Sequence, residues 1–327
     1  MADVIRGIVL LLSLVAPILS AAAATAAPQV VATIKPIHSL VAMVMQGVGE
    51  PKLLIAGGAS PHTYSLKPSD ARILQQADLI FWVGEGLETF LEKPLEALPR
   101  NARVVALAEA PGVTLLPYRS SGGWEPHVHG SADAGTPHAQ GESHGHDDDH
   151  EHHNTDMHIW LDPANAQAII RAVAAALSEA DPSHAAIYTS NAEAALARLQ
   201  ALDETLRRTL EPLAGRPYVV FHDAYQYLEH RYGLTPVGSI TVDPDRQPGA
   251  QRVAMIRRSI TERGAVCVFS EPQFSPKLIP TLIEGTPART EVLDAEGGPT
   301  VPAGPDAYGM IMLNLADALR RCLDPAG

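Results

Sequence analysis

The histidines of this chain are unevenly distributed, and most of them fall in one polar stretch. Eight of the fourteen lie between residues 125 and 155: His127, His129, His138, His144, His146, His150, His152 and His153. Residues 124–156 also hold eight acidic residues and no Lys or Arg. Neutral imidazole binds zinc, copper and nickel, and carboxylates add negative potential. We therefore predict that residues 125–155 form a disordered loop that binds metal ions weakly, rather than a simple solvated linker.

Three other histidines and one aspartate stand at or near the ends of predicted strands. His222 directly follows the apolar run 219–221, Asp294 follows Val292-Leu293, His62 lies in a loop after a strand, and His158 sits among apolar residues. In open α/β sheets, ligands bind outside the carboxyl ends of the strands. Three imidazoles and a carboxylate that met there would form an ordinary tetrahedral zinc site. Any one histidine could be purely structural, but the joint pattern favours metal ligands.

Composition and charge limit the possible functions. The chain has 327 residues, which is enough for two domains, and 46% of them are hydrophobic, so it can bury real cores. The formal net charge is −13, and the His-rich stretch contributes eight acidic residues to it. Because no basic patch stands out, nucleic acid is excluded as the expected partner.

Residues 1–27 have the pattern of a secretory signal peptide. Arg6 precedes the apolar run 8–16, and small residues fill 21–27. We expect cleavage after Ala24 or Ala26. The apolar run is too short for a comfortable membrane span, and no later segment is apolar enough to cross a bilayer. The mature protein is therefore expected to be soluble outside the cytoplasm.

The chain contains two cysteines, Cys267 and Cys322. In an oxidising compartment an even pair suggests one disulfide, although two buried free thiols are the alternative.

The alternation of apolar runs and helical periodicity predicts an α/β fold with two lobes. Each lobe should contain a mostly parallel sheet of about four strands, and one long spine helix over 182–213 should join the lobes. A metal site would then lie in the cleft between them. The predicted parts are an N-terminal lobe over 28–163, helices over 164–214 and a C-terminal lobe over 215–327. Within the first lobe, residues 85–98 are predicted to be helical.

Four motifs carry a resemblance to a known family. They are GASPHTY at 58–64, DMHIWLDP at 156–163, FHDAY at 221–225 and FSEPQF at 269–274. In combination they resemble the ZnuA-type proteins, the zinc-specific substrate-binding proteins of bacterial ABC importers. The resemblance covers essentially the whole mature chain, and the acidic His-rich insertion sits where the zinc branch carries one. It implies capture of Zn²⁺ in the periplasm and delivery of the ion to a membrane permease.

The resemblance also implies roles for individual residues. It matches His62, His158 and His222 to the family's zinc ligands and Asp294 to its acidic fourth position. The manganese branch has Glu where this chain has His222, which favours zinc.

One position departs from the pattern of some zinc members, which have Glu immediately before the first ligand histidine. Pro61 stands at that position here, so the fourth ligand is expected to be Asp294 or a water. The family also places a disulfide at the positions of Cys267 and Cys322.

The same candidate ligands are compatible with functions other than zinc uptake. A zinc hydrolase could use three ligands and an open water, but the chain has no HExxH motif and no Ser nucleophile elbow. A metal-dependent adhesin or a zinc store would share the ligand set. A sibling protein that carries manganese, nickel or cobalt is a further alternative.

Overall fold

The computed structural model describes residues 26–56, 58–97, 102–119, 124, 155–241 and 248–324. The predicted signal peptide lies outside the described residues except for its last two positions, and so do the eight histidines of the predicted loop over 125–155. Within the described ranges, no helix has both the length and the apolar character needed to cross a membrane.

The first part of the chain forms a four-stranded parallel sheet with the strand order β2-β1-β3-β4. Its elements are β1 (Val30–Ala32), α1 (Lys35–Met45), β2 (Lys52–Leu53), α2 (Pro68–Gln75), β3 (Leu79–Trp82), α3 (Glu92–Glu96) and β4 (Arg103–Ala106). The central strands β1 and β3 are buried throughout, as is typical of parallel strands covered on both faces. Helices between successive strands provide the crossovers that parallel pairing requires.

The last part of the chain repeats this arrangement with a second parallel sheet, in the order β10-β9-β7-β8. Its elements are β7 (Pro217–Val220), α6 (Gln226–Tyr232), β8 (Thr235–Ser239), α7 (Ala250–Glu262), β9 (Cys267–Ser270), α8 (Ile279–Ile283), β10 (Arg289–Val292) and α9 (Ala307–Leu323). Two parallel sheets and their helices confirm the predicted α/β fold.

Two long helices follow the first sheet and precede the second in chain order. They are α4 (Pro163–Ala180) and α5 (Ala185–Leu210). Short 3₁₀ turns at Pro182–His184 and Glu211–Leu213 flank α5, so the helical path matches the predicted spine over 182–213. At 1.5 Å per residue, a helix of this length is about 40 Å long and can extend along both sheets. It packs against α1, α4 and α9, and one apolar core includes residues of both sheets.

The prediction of a helix over 85–98 was wrong, because only a 3₁₀ turn at Thr89–Leu91 and α3 form among the described residues 85–97. Glu88 explains the difference. Its buried carboxylate accepts hydrogen bonds from the backbone N–H groups of Val83 and Gly84 and from the hydroxyl of Thr33. These bonds hold Glu88 inside the loop that follows β3, where it cannot form an exposed first helical turn.

A small antiparallel ribbon was not predicted. It pairs β5 (Leu116–Pro117) with β6 (Thr155–Asp156). Thr155, predicted as the last residue of the His-rich loop, therefore belongs to a strand. The ribbon brings the two ends of the insertion together, and it leads directly into His158.

Cys267 and Cys322 form a disulfide that joins β9 to α9, with a Cα–Cα distance of 5.9 Å and both residues buried. The predicted pairing is confirmed. The bond attaches the C-terminal helix to the second sheet.

We expect the double variant Cys267→Ser/Cys322→Ser to lose about 4 kcal/mol in the free energy of unfolding, because the unfolded chain is no longer constrained. Chemical denaturation of the variant and of the oxidised parent would measure the loss. Zinc affinity should be unchanged, since neither sulfur lies at the histidine cluster. A parent whose stability does not respond to reductant would contradict the expectation.

Candidate metal centre

Three of the predicted ligands converge on one point. The Nε2 atoms of His62 and His158 lie 3.2 Å apart, and those of His222 and His158 lie 3.4 Å apart. His158 and His222 are buried, and His62 is half-buried. Among the described residues, these three form the one group of His, Cys, Asp or Glu side chains whose possible ligand atoms all lie within 4.8 Å of one another.

The spacing of these nitrogens matches zinc geometry. Zinc binds imidazole nitrogen at about 2.0–2.1 Å, and the edge of a tetrahedron with such bonds is about 3.3–3.4 Å. The two observed separations lie within about 0.2 Å of that edge. Two nitrogen lone pairs brought this close repel one another unless a proton or a metal ion lies between them. The cluster is therefore suited to a metal ion bound by three Nε2 atoms.

The two four-stranded sheets and the small ribbon contribute different members of the cluster. His62 lies in the loop between β2 and α2, and His158 follows β6 at the start of a 3₁₀ turn over Ile159–Leu161. His222 comes directly after β7, close to the carboxyl end of that strand in the second sheet. The candidate ligands thus come from loops of both parts of the chain, and His222 lies at a strand end, as the strand-end rule predicts.

Buried carboxylates orient two of the three imidazoles. His158 donates from Nδ1 to Asp156 Oδ1 at 2.7 Å, and its backbone N–H donates to the same oxygen at 3.0 Å. His222 places Nδ1 2.7 Å and 2.8 Å from the two carboxylate oxygens of Glu271. With Nδ1 as the donor, Nε2 faces the metal position in each case. Such carboxylate–imidazole pairs set the tautomer and raise the basicity of a ligand.

These pairs also shift the acid–base behaviour of the site. Burial lowers the pKa of His222, but the charge and hydrogen bond of Glu271, together with the charges of Asp223 and Asp156, outweigh that effect, so the pKa of His222 is raised above its ordinary value. Burial raises the pKa of Asp156 to about 7, although the His158 amide and the Arg119 charge oppose the rise.

Asp294, the predicted acidic fourth position, is not part of the converging group. Its Oδ1 accepts hydrogen bonds from the side chain of Gln273 at 2.9 Å and from the backbone N–H groups of Glu296 and Gly297 at 3.2 and 2.9 Å. The carboxylate therefore shapes the loop that follows β10. Whether it ligates the metal stays a prediction.

Glu271 and Glu296 are site residues that the sequence reading missed. Glu271 lies within the FSEPQF motif, and its place directly after β9, at the same edge of the second sheet as His222, was a usable signal. Glu296 lines the pocket that contains His62, His158 and His222. Burial, with the nearby Asp294 carboxylate, raises its pKa to about 8.

Two polar contacts on either side of the site connect the sheets. Lys35, at the start of α1, donates from Nζ to the carbonyls of Gly297 and Gly298. On the other side, the Arg119 guanidinium pairs with the carboxylates of Asp223 and Glu229. Asp223 is the neighbour of His222, so the second contact lies next to a candidate ligand.

A two-lobed α/β fold with three imidazoles between its sheets defines a metal-binding protein of the substrate-capture class. The family model described as ZnuA, zinc-uptake complex component A periplasmic, matches residues 30–322. This chain belongs to the ZnuA family, whose members are periplasmic components of zinc uptake rather than enzymes.

Individual relatives agree with that assignment. The chain is 45% identical over 313 residues to the high-affinity zinc uptake system protein ZnuA of Brucella abortus (strain 2308), which covers 90% of this chain and 91% of the relative. It is 38% identical over 303 residues to the protein of the same name from Yersinia pestis, with coverages of 91% and 92%. A solved crystal structure of ZnuA, 24% identical, matches the fold with a TM-score of 0.72 over 91% of this chain and all of that chain.

Removing the carboxylate behind His222 should weaken metal binding without removing a ligand. We expect Glu271→Gln to lower zinc affinity by about 10- to 100-fold, the usual effect of losing an outer hydrogen-bond partner of a ligand. Competition with a chelator at pH 7.5 would measure the change. Glu284→Gln, an exposed glutamate of the same part of the chain, is the matched control and should bind like the parent. Equal affinities for the two variants would show that Glu271 does not support the site.

Proposed function

We propose that this protein captures Zn²⁺ in the periplasm through His62, His158 and His222 and delivers it to the membrane permease of an ABC importer. The observation that carries this proposal is the approach of three Nε2 atoms to separations of 3.2 and 3.4 Å, which are the spacings a tetrahedral zinc ion requires. Membership of the ZnuA family supports the choice of zinc as cargo.

The donor set favours zinc over harder metals. Neutral imidazole suits zinc, copper, nickel and cobalt, whereas manganese, magnesium and calcium prefer oxygen ligands. Three nitrogens also leave a fourth tetrahedral position for an oxygen donor. The site can therefore bind zinc firmly and still exchange it through that position.

Ligands drawn from both sheets couple metal binding to the arrangement of the lobes. We take residues 28–163 and 215–327 as the lobes and 164–214 as the helices between them. His62 and His158 form a two-ligand site on the first lobe, and His222 adds the third ligand from the second. Separation of the lobes would remove His222 from the metal and so provide a route for release to the permease.

The N-terminal segment and the His-rich segment have further roles in zinc capture. Residues 1–27 act as a signal peptide that directs the chain to the periplasm, where it works as a monomer. The His-rich segment predicted over 125–155 binds additional Zn²⁺ more weakly, through its neutral imidazoles and carboxylates.

Substitution of single histidines tests the ligand assignment. We expect His62→Ala, His158→Ala and His222→Ala each to reduce zinc affinity by roughly 100-fold or more, since each substitution removes one of the three imidazole–zinc bonds. His230→Ala, an exposed histidine of α6, is the matched control and should have no effect. Chelator competition on each purified variant provides the affinities. A His222→Ala variant with parental affinity would show that the metal does not lie between the lobes.

The pH dependence of binding tests the same site independently. Protons compete with zinc for each imidazole, and histidine ordinarily titrates near pH 6.5, so affinity should fall by up to about three log units per pH unit below that value. Because the pKa of His222 is raised, this residue begins to take up a proton at a higher pH than an ordinary histidine does. Zinc titration between about pH 8 and pH 5 would measure the profile, and a flat profile would exclude histidine ligation.

A further inference from the structure

Arg119 lies just beyond the small ribbon and contacts the last part of the chain beside the metal site. We propose that Arg119 is a positioning residue: its guanidinium fixes Asp223 and, through it, the adjacent His222, and thereby slows the release of zinc. The inference rests on the proposed function, because it concerns how firmly the third ligand is held. Arg119 lies outside the four motifs that carry the family resemblance.

Two carboxylates of the last part of the chain bind the Arg119 guanidinium. Nε donates to Asp223 Oδ2 at 3.1 Å, and Nη2 donates to Oδ1 of the same carboxylate. Nη1 lies 2.8 Å from Glu229 Oε2. Both carboxylate side chains are only 3% exposed, and the Arg119 side chain is 20% exposed. A bidentate pair between arginine and a carboxylate restricts the orientation of both partners, and burial shields this one from water.

The first part of the chain holds Arg119 in place on the other side. Arg119 follows β5 by two residues, and its Cζ lies 3.6 Å from the centroid of the Trp124 ring, a cation–π contact. The ribbon itself docks on α6, because the Tyr227 hydroxyl donates to the Asp156 carbonyl at 2.6 Å and accepts from the Leu116 N–H at 3.0 Å. The ribbon that leads into His158 therefore also fixes the position of Arg119.

Asp223 transmits this constraint to the candidate ligand beside it. His222 and Asp223 are consecutive residues directly after β7, and the Ala224 N–H donates to the His222 carbonyl at 2.9 Å, so the chain turns tightly there. A shift of Asp223 therefore moves the His222 backbone. Glu271 orients the His222 ring through Nδ1, whereas Arg119 fixes the backbone that carries the ring. The two contacts act on different parts of the same ligand.

The charges of this group make the Arg119 contact costly to break. Burial raises the pKa of Glu229 above its ordinary value, the Arg119 charge opposes the rise, and the Asp223 charge adds to it. The two carboxylates thus repel each other, and Arg119 offsets the repulsion. Movement of His222 away from His158 would withdraw Asp223 from the guanidinium, and an uncompensated buried charge is strongly unfavourable. The contact therefore raises the barrier to loss of the third ligand.

Release rates of two variants of the full mature chain test this role. Arg119→Met removes the guanidinium and keeps an unbranched stem, and Arg119→Met/Glu229→Gln makes the same change at constant net charge. Stopped-flow mixing of the zinc-loaded protein with excess chelator measures the rate. Both variants should release zinc about 10-fold faster than the parent, the lower end of the effect of outer partners of a metal ligand. Loss of a positive charge alone would favour a bound cation, so faster release reports position rather than charge.

Arg231 provides a matched control. Its side chain is 21% exposed and also contacts two carboxylates, with Nε 2.9 Å from Asp203 Oδ1 and Nη1 3.1 Å from Asp162 Oδ1. Neither carboxylate belongs to a neighbour of a candidate ligand in the sequence. Arg231→Met should lower the Tm of the metal-free protein as Arg119→Met does, but its zinc release should match that of the parent. Equally fast release from both variants would indicate a general loss of rigidity and would overturn the inference.

A double-mutant cycle with His222→Ala shows whether Arg119 acts through His222. If it does, Arg119→Met has no further effect on zinc release in the His222→Ala background, because the residue that it positions is gone. The same fold-change in both backgrounds, or a parental release rate in both Arg119 variants, would overturn the inference and leave three-histidine capture intact. Parental zinc affinity in His222→Ala itself would overturn the proposed function and this inference with it.

Discussion

Two buried carboxylate–imidazole pairs are the constraint on which the metal site depends. Asp156 holds His158 and Glu271 holds His222, each through Nδ1, so that the two Nε2 atoms face each other across the cleft at 3.4 Å. A buried imidazole without such a partner could rotate or change tautomer, and the nitrogens would no longer converge. The pairs are available because both carboxylates lie at or just beyond strand ends that meet at the same place.

The rest of the fold serves to keep those strand ends together. The helix α5 packs against α1 of the first part of the chain and against α9 of the last part, and its buried face joins the apolar core that includes residues of both sheets. The ribbon of β5 and β6 delivers His158, and Lys35 fastens the loop after β10 to the first part of the chain. The site is thus built from loops, but rigid elements on both sides determine their positions. Under the proposed function, a small relative movement of the lobes would change the number of metal ligands.

Much of this could be predicted from the sequence, because periodicity and strand-end histidines are local signals. The two sheets, the long helix and the disulfide were predicted and are confirmed, and His62, His158 and His222 do converge. The errors arose where a side chain acts over a distance. Glu88 turns inward and accepts hydrogen bonds from two backbone N–H groups, so the first turn of the helix predicted over 85–98 does not form. Glu271 contacts His222 from the end of a different strand. Spacing along the chain alone shows neither contact, although the position of Glu271 directly after β9 places it at the same sheet edge as His222.

Anomalous X-ray diffraction at the zinc edge, on crystals of the mature protein loaded with one equivalent of Zn²⁺, tests the central claim most directly. The account predicts one strong peak between the lobes, at about 2.0–2.1 Å from the Nε2 atoms of His62, His158 and His222. A principal peak outside the cleft, or one bonded to fewer than three of these nitrogens, would contradict it.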